Sequence, residues 1–300
     1  MSKTKAWLSA ARLRTLPLSV SGIIVGTCLA YYNGDYNGII FSLAMLTTIS
    51  LQVLSNFAND YGDGVKGTDN ENRIGPERAI QSGVITPKQL LVGIKINVLC
   101  VMICSFLLIY MAFGEGNLLY SIIFYVLGGV SIYAAMNYTM GKSAYGYKGL
   151  GDIFVFLFFG LLSVMGTYFL YSKQLDHVVI LPAITIGLLS VGVLNLNNMR
   201  DINSDVLSNK ITLAVKLGEK KAKIYHIALI STAIVTSLVF SILYYTSVYN
   251  LLFFIAYIPL FIHLKVVINT QIPREFDPQL KVLALTTFLL ALLLGIGYML

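Results

Sequence analysis

Long apolar runs separated by short polar stretches recur along the whole chain. A helix needs about 20 mostly apolar residues to cross the hydrocarbon core of a bilayer. Nine runs are near that length, and they predict an all-α polytopic membrane protein with nine transmembrane helices. The predicted spans are residues 16–32, 39–58, 90–113, 118–137, 153–171, 178–196, 225–245, 251–267 and 282–300.

The connections between these spans alternate in length and charge. The turns at 33–38, 114–117, 172–177 and 246–250 are very short and contain one basic residue, Lys173. The other side of the membrane would then carry 20 of the 21 Lys and Arg residues and 11 of the 14 Asp and Glu residues. Because loops rich in Lys and Arg remain in the cytoplasm, we expect a cytoplasmic N-terminus and a C-terminus outside.

The composition supports a membrane protein and excludes several other classes. Hydrophobic residues make up 57% of the chain and charged residues only 12%, about half the charge of a soluble domain. A disordered chain, a disulfide scaffold and a soluble nucleic-acid-binding domain are excluded, and no nucleic-acid partner is expected. We predict one transmembrane domain over residues 1–300. Its basic segment 1–15 is either an interfacial helix on the lipid bilayer or a frayed tail.

Two loops on the predicted cytoplasmic side combine amides with spaced carboxylates. The first, at 59–88, follows the second span, and the second, at 197–222, follows the sixth. Residues four apart share one helix face, so Asn59 and Asp63 form a co-facial pair if the helix extends that far, as do Asp201 and Asp205. Clusters of oxygen ligands suit Mg²⁺, which typically binds one or two carboxylates together with substrate phosphates.

The two loops therefore supply the candidate site residues. We expect the metal ligands to be Asn56, Asn59, Asp60, Asp63, Asn198, Asp201 and Asp205. Two Mg²⁺ ions held this way could clamp a diphosphate between the loops. Basic residues that could neutralise its remaining charge are Lys66, Arg73, Arg78, Lys142, Arg200 and Lys210.

Other interpretations of these loops are a solvated surface and a transport site. Acids at a helix end in a loop are usually just solvated, but two matched clusters with Asn at the membrane boundary favour a functional site, since a buried amide is costly without a partner. A secondary transporter would place its polar groups near the bilayer midplane. Here they gather at one face of the membrane, which favours an enzyme.

These motifs resemble those of the UbiA superfamily of intramembrane aromatic prenyltransferases. The family motif N-D-x-x-D-x-x-x-D is matched by Asn59, Asp60 and Asp63, although Gly67 replaces its last Asp and Asp69 is displaced by two. The motif D-x-x-x-D is matched by Asp201 and Asp205. Tyr138 and Lys142 match the Y-x-x-x-K element, and further matching blocks lie between about residues 7 and 220.

The sequence around Gly67 and the string R-x-G-P-x-R at 73–78 resemble the branch of the family that prenylates 1,4-dihydroxy-2-naphthoate. That resemblance implies transfer from a polyprenyl diphosphate with loss of carbon dioxide, in menaquinone biosynthesis in the bacterial cytoplasmic (inner) membrane. Other acceptors, such as 4-hydroxybenzoate, are the rivals within the family.

The resemblance also implies roles for individual residues. The catalytic set is Asp63, Asp201, Lys142 and Tyr138. Asp152 either caps the helix that it begins or contacts the aromatic acid, and these two interpretations stay open. The length of the isoprenoid chain and the oligomeric state do not follow from the sequence.

Overall fold

The computed structural model describes residues 2–69 and 78–300, and within these ranges the chain is helical without strands. The helices are α1 (Lys3–Ala11), α2 (Leu16–Tyr32), α3 (Gly38–Lys66), α4 (Pro87–Phe113), α5 (Leu118–Asn137), α6 (Gly151–Val155), α7 (Thr167–Ser172), α8 (Ile180–Arg200), α9 (Ile202–Leu207), α10 (Leu213–Leu243), α11 (Tyr257–Asn269) and α12 (Phe276–Met299). In the described part of the chain, nine helical segments are long and apolar enough to cross a membrane. The predicted fold class is therefore confirmed.

Short segments of other helix types complete these spans. A π-helix at Phe156–Gly166 joins α6 to α7 in one continuous span. The 3₁₀ segments are Leu13–Thr15, Tyr145–Lys148, His177–Val179, Val248–Ala256 and Pro273–Glu275.

Several helices extend beyond their predicted spans, and α3 and α10 do so most. Helix α3 continues to Lys66, two turns beyond its predicted end, and stops where Gly67 adopts a left-handed conformation with φ of 74°. Helix α10 begins at Leu213 instead of residue 225 and is kinked at Gly218. A helix that leaves the membrane can continue in water with polar residues, so hydropathy underestimates its length. The predicted loops 59–88 and 197–222 are consequently partly helical.

The segment before the first span forms a helix that packs on the bundle. Ser2 caps α1 by accepting a hydrogen bond from the backbone N–H of Lys5. The Trp7 ring lies 5.4 Å from the Phe57 ring in an edge-to-face arrangement, and a Cβ added at Gly93 would meet Trp7 at 2.7 Å. Residues Lys3–Ala11 are therefore helical, and their position at a lipid interface stays a prediction.

Apolar packing divides into two clusters. The larger cluster joins α2, α8, α10 and α12, where Val25, Leu189, Ile230 and Leu290 are at most 1% exposed. The smaller cluster joins α1, α3 and α4. Exposed apolar side chains such as Phe106 cover the opposite face of α4, as expected where a span faces lipid.

The π-helical segment lies close to its neighbours because glycines occupy the contacts on both sides. A Cβ added at Gly160 would lie 2.7 Å from the backbone of α8 at Ala183, and one added at Gly22 would lie 2.2 Å from the Ser163 hydroxyl. This close packing places the segment between α2 and α8, where it forms one wall of the cavity described below.

Candidate active site

A cavity of about 780 Å³ lies between the spans. One end, called here the polar end, is lined by the acids Asp63, Asp69, Asp201, Asp205 and Asp277 and by the cations Arg12, Arg14, Arg78, Lys210 and Lys281. The other end, the apolar end, is lined by residues such as Leu108, Phe124 and Leu170. On α3 the lining extends from Asp63 to Ala44, a distance of about 28 Å at the usual helical rise.

Asn59 and Asp63 face the polar end from the last turns of α3. Asp63 Oδ1 accepts a hydrogen bond of 2.8 Å from the Tyr147 hydroxyl, and Asp63 Oδ2 lies 3.4 Å from Lys210 Nζ. Asn59 Oδ1 accepts a hydrogen bond of 3.3 Å from the Thr139 hydroxyl. The predicted co-facial pair therefore exists, and neighbouring segments orient both of its side chains.

Asp60 does not line the cavity, although it lies between these two residues in the sequence. Its side chain is 1% exposed and is paired with the Arg12 guanidinium. Arg78 Nε lies 3.7 Å away on the same carboxylate. Two guanidinium groups thus compensate this buried charge, and Asp60 is not turned toward the position where a metal ion would meet Asp63.

Asn56 lines the cavity one turn earlier on α3. Its side-chain amide donates a hydrogen bond of 2.9 Å to the backbone oxygen of Ala11 and one of 3.3 Å to the Thr15 hydroxyl. The amide thus holds the connection between α1 and α2 against α3.

The second acidic motif is organised by Arg200 at the end of α8. Its guanidinium donates to both oxygens of Asp201, at 2.8 and 2.6 Å. The same group donates to Asn197 Oδ1 at 2.9 Å and is paired with Asp277. Arg200 is 1% exposed and does not line the cavity. It therefore acts on the site by orienting the carboxylates to which it is bound.

Asp205 and Lys210 lie on either side of a tight turn after α9. The backbone N–H of Lys210 donates to the backbone oxygen of Asp205 at 2.8 Å. Burial raises the pKa of Asp205 to about 7, although the Lys210 charge opposes this. Burial by itself would lower the pKa of Lys210, but Asp63 and Asp205 outweigh it and hold that pKa above its ordinary value. Lys210 is therefore a buried cation in the folded protein.

Tyr147, which the sequence did not single out, links both loops to the connection between α5 and α6. Its hydroxyl bonds to Asp63, as described, and lies 2.6 Å from the Thr68 hydroxyl. Lys66 Nζ stands 4.1 Å from the centre of its ring and donates to the backbone oxygen of Thr139 at 2.6 Å. Mainly because of burial, the pKa of Tyr147 is raised, so the phenol keeps its proton.

The structure brings together only part of the predicted set. Lining the cavity are Asn56, Asn59, Asp63, Arg78, Tyr138, Asp201, Asp205 and Lys210. Outside its lining are Asp60, Lys66, Lys142, Asp152, Asn198 and Arg200. Arg73 lies outside the described residues. Burial raises the pKa of Tyr138 to about 12, and its ring meets that of Tyr145 edge to face at 5.3 Å.

Two of the predicted residues outside the lining have other surroundings. Lys142 is exposed, so the structure does not bring its charge to the acids. Asp152 is buried at the start of α6 and accepts a hydrogen bond of 3.3 Å from the Tyr225 hydroxyl. Since Tyr225 lies on α10, this bond joins two spans.

Several cavity residues were missed by sequence reasoning. Arg12 and Arg14 stand in a block that also resembles the family, which was the available signal. Asn197 neighbours the second motif, whereas Asp277 and Lys281 lie about 75 residues beyond it in α12. Only the packing of α12 against α2 and α8 brings those last two residues to the polar end.

The polar end suits a divalent cation bound together with a phosphate. Asp63, Asp201 and Asp205 present carboxylates to one cavity, and Asn59 and Asn197 add amide groups. In residues 2–69 and 78–300, no group of three Asp, Glu, His or Cys side chains could hold a metal ion by itself. Mg²⁺ typically takes one or two carboxylates and completes its octahedron with water and phosphate oxygens, and this donor set fits that division.

Comparisons with known proteins show the family of this chain. The profile of the UbiA prenyltransferase family matches residues 19–293. A relative from Haemophilus influenzae named 1,4-dihydroxy-2-naphthoate octaprenyltransferase is 44% identical over 297 residues, covering 98% of this chain and 96% of the relative. One from Escherichia coli with the same name is 45% identical, covering 93% and 88%.

Among solved structures, a UbiA homolog from Archaeoglobus fulgidus bound to DMAPP and Mg²⁺ has the same fold. It superposes with a TM-score of 0.58 at 12% identity, covering 95% of this chain and 99% of that one.

Proposed function

This chain belongs to the UbiA prenyltransferase family, and we propose that it transfers a polyprenyl group from polyprenyl diphosphate to 1,4-dihydroxy-2-naphthoate. The ring carboxylate leaves as carbon dioxide. The products are demethylmenaquinol, which oxidises to demethylmenaquinone, and diphosphate. The reaction is a step of menaquinone biosynthesis.

One observation carries this proposal: carboxylates from two distant motifs meet a buried cation at the polar end of a long apolar cavity. Asp63 and Asp205 both lie within 3.9 Å of Lys210 Nζ, and the apolar lining continues beyond them to Phe124 and Leu170. A polyprenyl diphosphate has the same division, with a charged head and a long apolar tail.

The head group would bind among the acids and cations of the polar end. Asn59, Asp63, Asp201 and Asp205 would hold Mg²⁺, with two ions binding together with the diphosphate. Bound Mg²⁺ supplies positive charge to the diphosphate oxygens as the allylic C–O bond breaks. Lys210 and Arg78 line the same end, and they contribute further positive charge to the leaving group.

The apolar cavity would hold the isoprenoid tail and exclude water. When the C–O bond breaks, its electron pair leaves with the diphosphate, and the electron-rich naphthol ring attacks the allylic carbon. The bond between the ring and the carboxylate then breaks, and its electrons restore the aromatic ring. Side chains such as Leu108, Phe158 and Leu170 line this space, so water cannot easily capture the cation.

Charge along the chain supports the orientation of the site. The polar end lies where α3 and α8 end, next to the connections that carry most of the Lys and Arg residues. By the positive-inside rule, this end faces the cytoplasm of a bacterial cell, and the protein is a multi-pass protein of its cytoplasmic membrane. Residues 1–300 then form a single domain whose active-site segments are 59–88 and 197–222.

The test uses membranes that contain the full chain, with labelled polyprenyl diphosphate and one aromatic acid at a time. Dihydroxynaphthoate should be prenylated only with Mg²⁺ present, with one carbon dioxide released from its labelled carboxyl group per transfer. Matched membranes without the protein give the background. Prenylation of 4-hydroxybenzoate in place of dihydroxynaphthoate would contradict the proposed acceptor, and donor uptake without any new carbon–carbon bond would favour a transporter.

A further inference from the structure

Lys210 lies between two carboxylates of the proposed metal site. Its Nζ lies 3.4 Å from Asp63 Oδ2 and 3.9 Å from Asp205 Oδ1. The side chains of Lys210, Asp63 and Asp205 are 11%, 13% and 6% exposed. Two buried carboxylates repel each other unless a cation or a proton compensates them, and the ammonium supplies that compensation.

The backbone fixes the root of this side chain, while its charged end can move. Asn209 adopts a left-handed conformation with φ of 54°. The Lys210 N–H donates to the backbone oxygen of Asp205, so the side chain begins next to the acid. A lysine carries a single compact charge on four flexible carbons. Its ammonium can therefore leave the carboxylates without unfolding the turn.

The Lys210 ammonium also lies near an aromatic ring. The ring of Tyr147 has Lys66 at 4.1 Å and Lys210 at 5.6 Å from its centre, and Tyr147 itself donates to Asp63. Lys210 thus lies between the two acids and the Tyr147 ring, on which Lys66 is the nearer cation. An anion bound at the polar end would attract the ammonium away from the acids.

We propose that Lys210 is a resident cation that occupies the divalent-metal position between Asp63 and Asp205, and that it transfers to the diphosphate when metal and diphosphate bind together. The proposal rests on the proposed function for the identity of the anion, whereas the competition with metal does not depend on it. Without diphosphate, a metal ion must displace the Lys210 ammonium from Asp63 and Asp205, and no other anion is then present to bind the ammonium. Metal bound with diphosphate provides that anion, so the two bind cooperatively.

Neutralising Lys210 should consequently have effects of opposite sign on two binding reactions. The probe for the first is Mn²⁺, which shares the oxygen ligands of Mg²⁺ and is counted by electron paramagnetic resonance on the purified full chain in detergent. Lys210→Met should bind Mn²⁺ without any anion at least about fivefold more tightly than the wild type does, the lower end of usual coupling between sites. With inorganic pyrophosphate added, the same variant should bind Mn²⁺ and pyrophosphate at least about fivefold more weakly.

Two further variants serve as controls. Lys216→Met removes a lysine six residues further on, whose Nζ donates to the backbone oxygen of Lys148 outside the cavity lining, and it should change neither affinity. Lys210→Arg keeps the charge and should bind Mn²⁺ by itself as weakly as the wild type does. If Lys210→Met does not fold, Lys210→Gln, which keeps a polar end without the charge, must show the same two opposite changes.

Two results would overturn the proposal. Unchanged Mn²⁺ affinity without pyrophosphate, with weaker binding in its presence, would make Lys210 a phosphate ligand only. Weaker binding in both experiments would make it a structural residue. The outcome is independent of the prenyl-transfer test, since transfer by the wild type can fail while this sign reversal stands, and the reversal can fail while transfer stands.

Discussion

The Arg12 guanidinium is paired with the Asp60 carboxylate, which joins the segment before α2 to the end of α3. Asp60 is thereby turned away from the cavity that Asp63, less than one helical turn further on, helps to line. The pairing separates two acids that the sequence motif presents as equivalent. We therefore expect Asp60 to contribute to stability and Asp63 to the proposed metal site.

Asp60→Asn should therefore destabilise the protein without removing metal binding. The variant leaves the charges of Arg12 and Arg78 beside a neutral amide, and breaking a buried ion pair costs about 3 kcal/mol or more. We expect a clearly lower thermal unfolding midpoint in detergent, with Mn²⁺ binding in the presence of pyrophosphate within about twofold of wild type. Loss of metal binding by folded protein would show that Asp60 is a ligand, as the sequence predicted.

Asp63→Asn and Asp201→Asn should lower turnover by a factor of about 100 or more in protein that remains folded and inserted. Removing one charge-stabilising group from an active site typically costs a factor of about 100 or more in rate. Transfer is measured in membranes, and folding by size-exclusion chromatography in detergent. Asp176→Asn is the matched control, because Asp176 caps the 3₁₀ turn before α8 by accepting from the Val178 N–H and does not line the cavity. Wild-type rates in either site variant would contradict the assignment of the metal ligands.

Tyr147→Phe should weaken donor binding moderately. The substitution removes the hydrogen bond to Asp63 but keeps the ring beneath Lys66. A net hydrogen bond contributes about 0.5–1.5 kcal/mol, so kcat/KM for the diphosphate should fall by roughly 2- to 12-fold. Tyr133→Phe, at a tyrosine that is 67% exposed, is the control. An unchanged kcat/KM in Tyr147→Phe would show that its hydrogen bond to Asp63 does not contribute to donor binding.

Phe124 should influence the length of isoprenoid that the cavity accepts. It lines the apolar end, and its ring centre is 5.0 Å from that of Phe113 and 5.6 Å from that of Phe169. Phe124→Ala enlarges that end, so the ratio of kcat/KM for long over short donors should rise. The expected rise is at least about fourfold, which corresponds to the free energy of burying one CH₂ group. Gly128→Leu, at a lining position where a Cβ meets nothing within 4 Å, should lower the ratio.

The control for this series is Phe106→Ala. Phe106 is 55% exposed and stacks on Tyr125 at 6.0 Å, away from the cavity lining. Its ratio for long over short donors should equal that of the wild type. Equal ratios in Phe124→Ala and Phe106→Ala would mean that the tail does not reach Phe124.

Two buried histidines should affect stability and not catalysis. His226 Nε2 lies 2.9 Å from His263 Nε2, and His263 Nδ1 lies 2.8 Å from Gln279 Oε1. Since the amide oxygen accepts, His263 donates to it from Nδ1 and accepts from His226 at Nε2. The chain of hydrogen bonds thus connects α10, α11 and α12.

His263→Phe should lower the unfolding midpoint, because it leaves His226 and Gln279 without this hydrogen-bond partner. Each unsatisfied buried group lowers the free energy of unfolding by about 1–3 kcal/mol. Turnover per folded molecule should stay at the wild-type level, because neither histidine lines the cavity. The double variant His226→Leu with His263→Leu should lose less stability than the sum of the two single variants, since removing both partners costs less than orphaning one. A turnover defect with unchanged stability would instead indicate a catalytic role.

The amino-acid sequence by itself determined the class and the spans. Transfer of a side chain into lipid is a local property of each residue, so the apolar runs located the nine spans found in residues 2–69 and 78–300, even where α3 and α10 prove longer than predicted. Motif spacing also located Asn59, Asp63, Asp201 and Asp205, because residues four apart stay on one face of a helix. Each of these four residues lines the cavity.

Only the tertiary structure decided which charges meet. Lys142 fits the family element but is exposed, whereas Lys210 stands between Asp63 and Asp205. Asp60 belongs to the same motif as Asp63 but is paired with Arg12. An ion pair depends on the separation of two charges in space, and here that separation is set by the packing of helices far apart in the sequence.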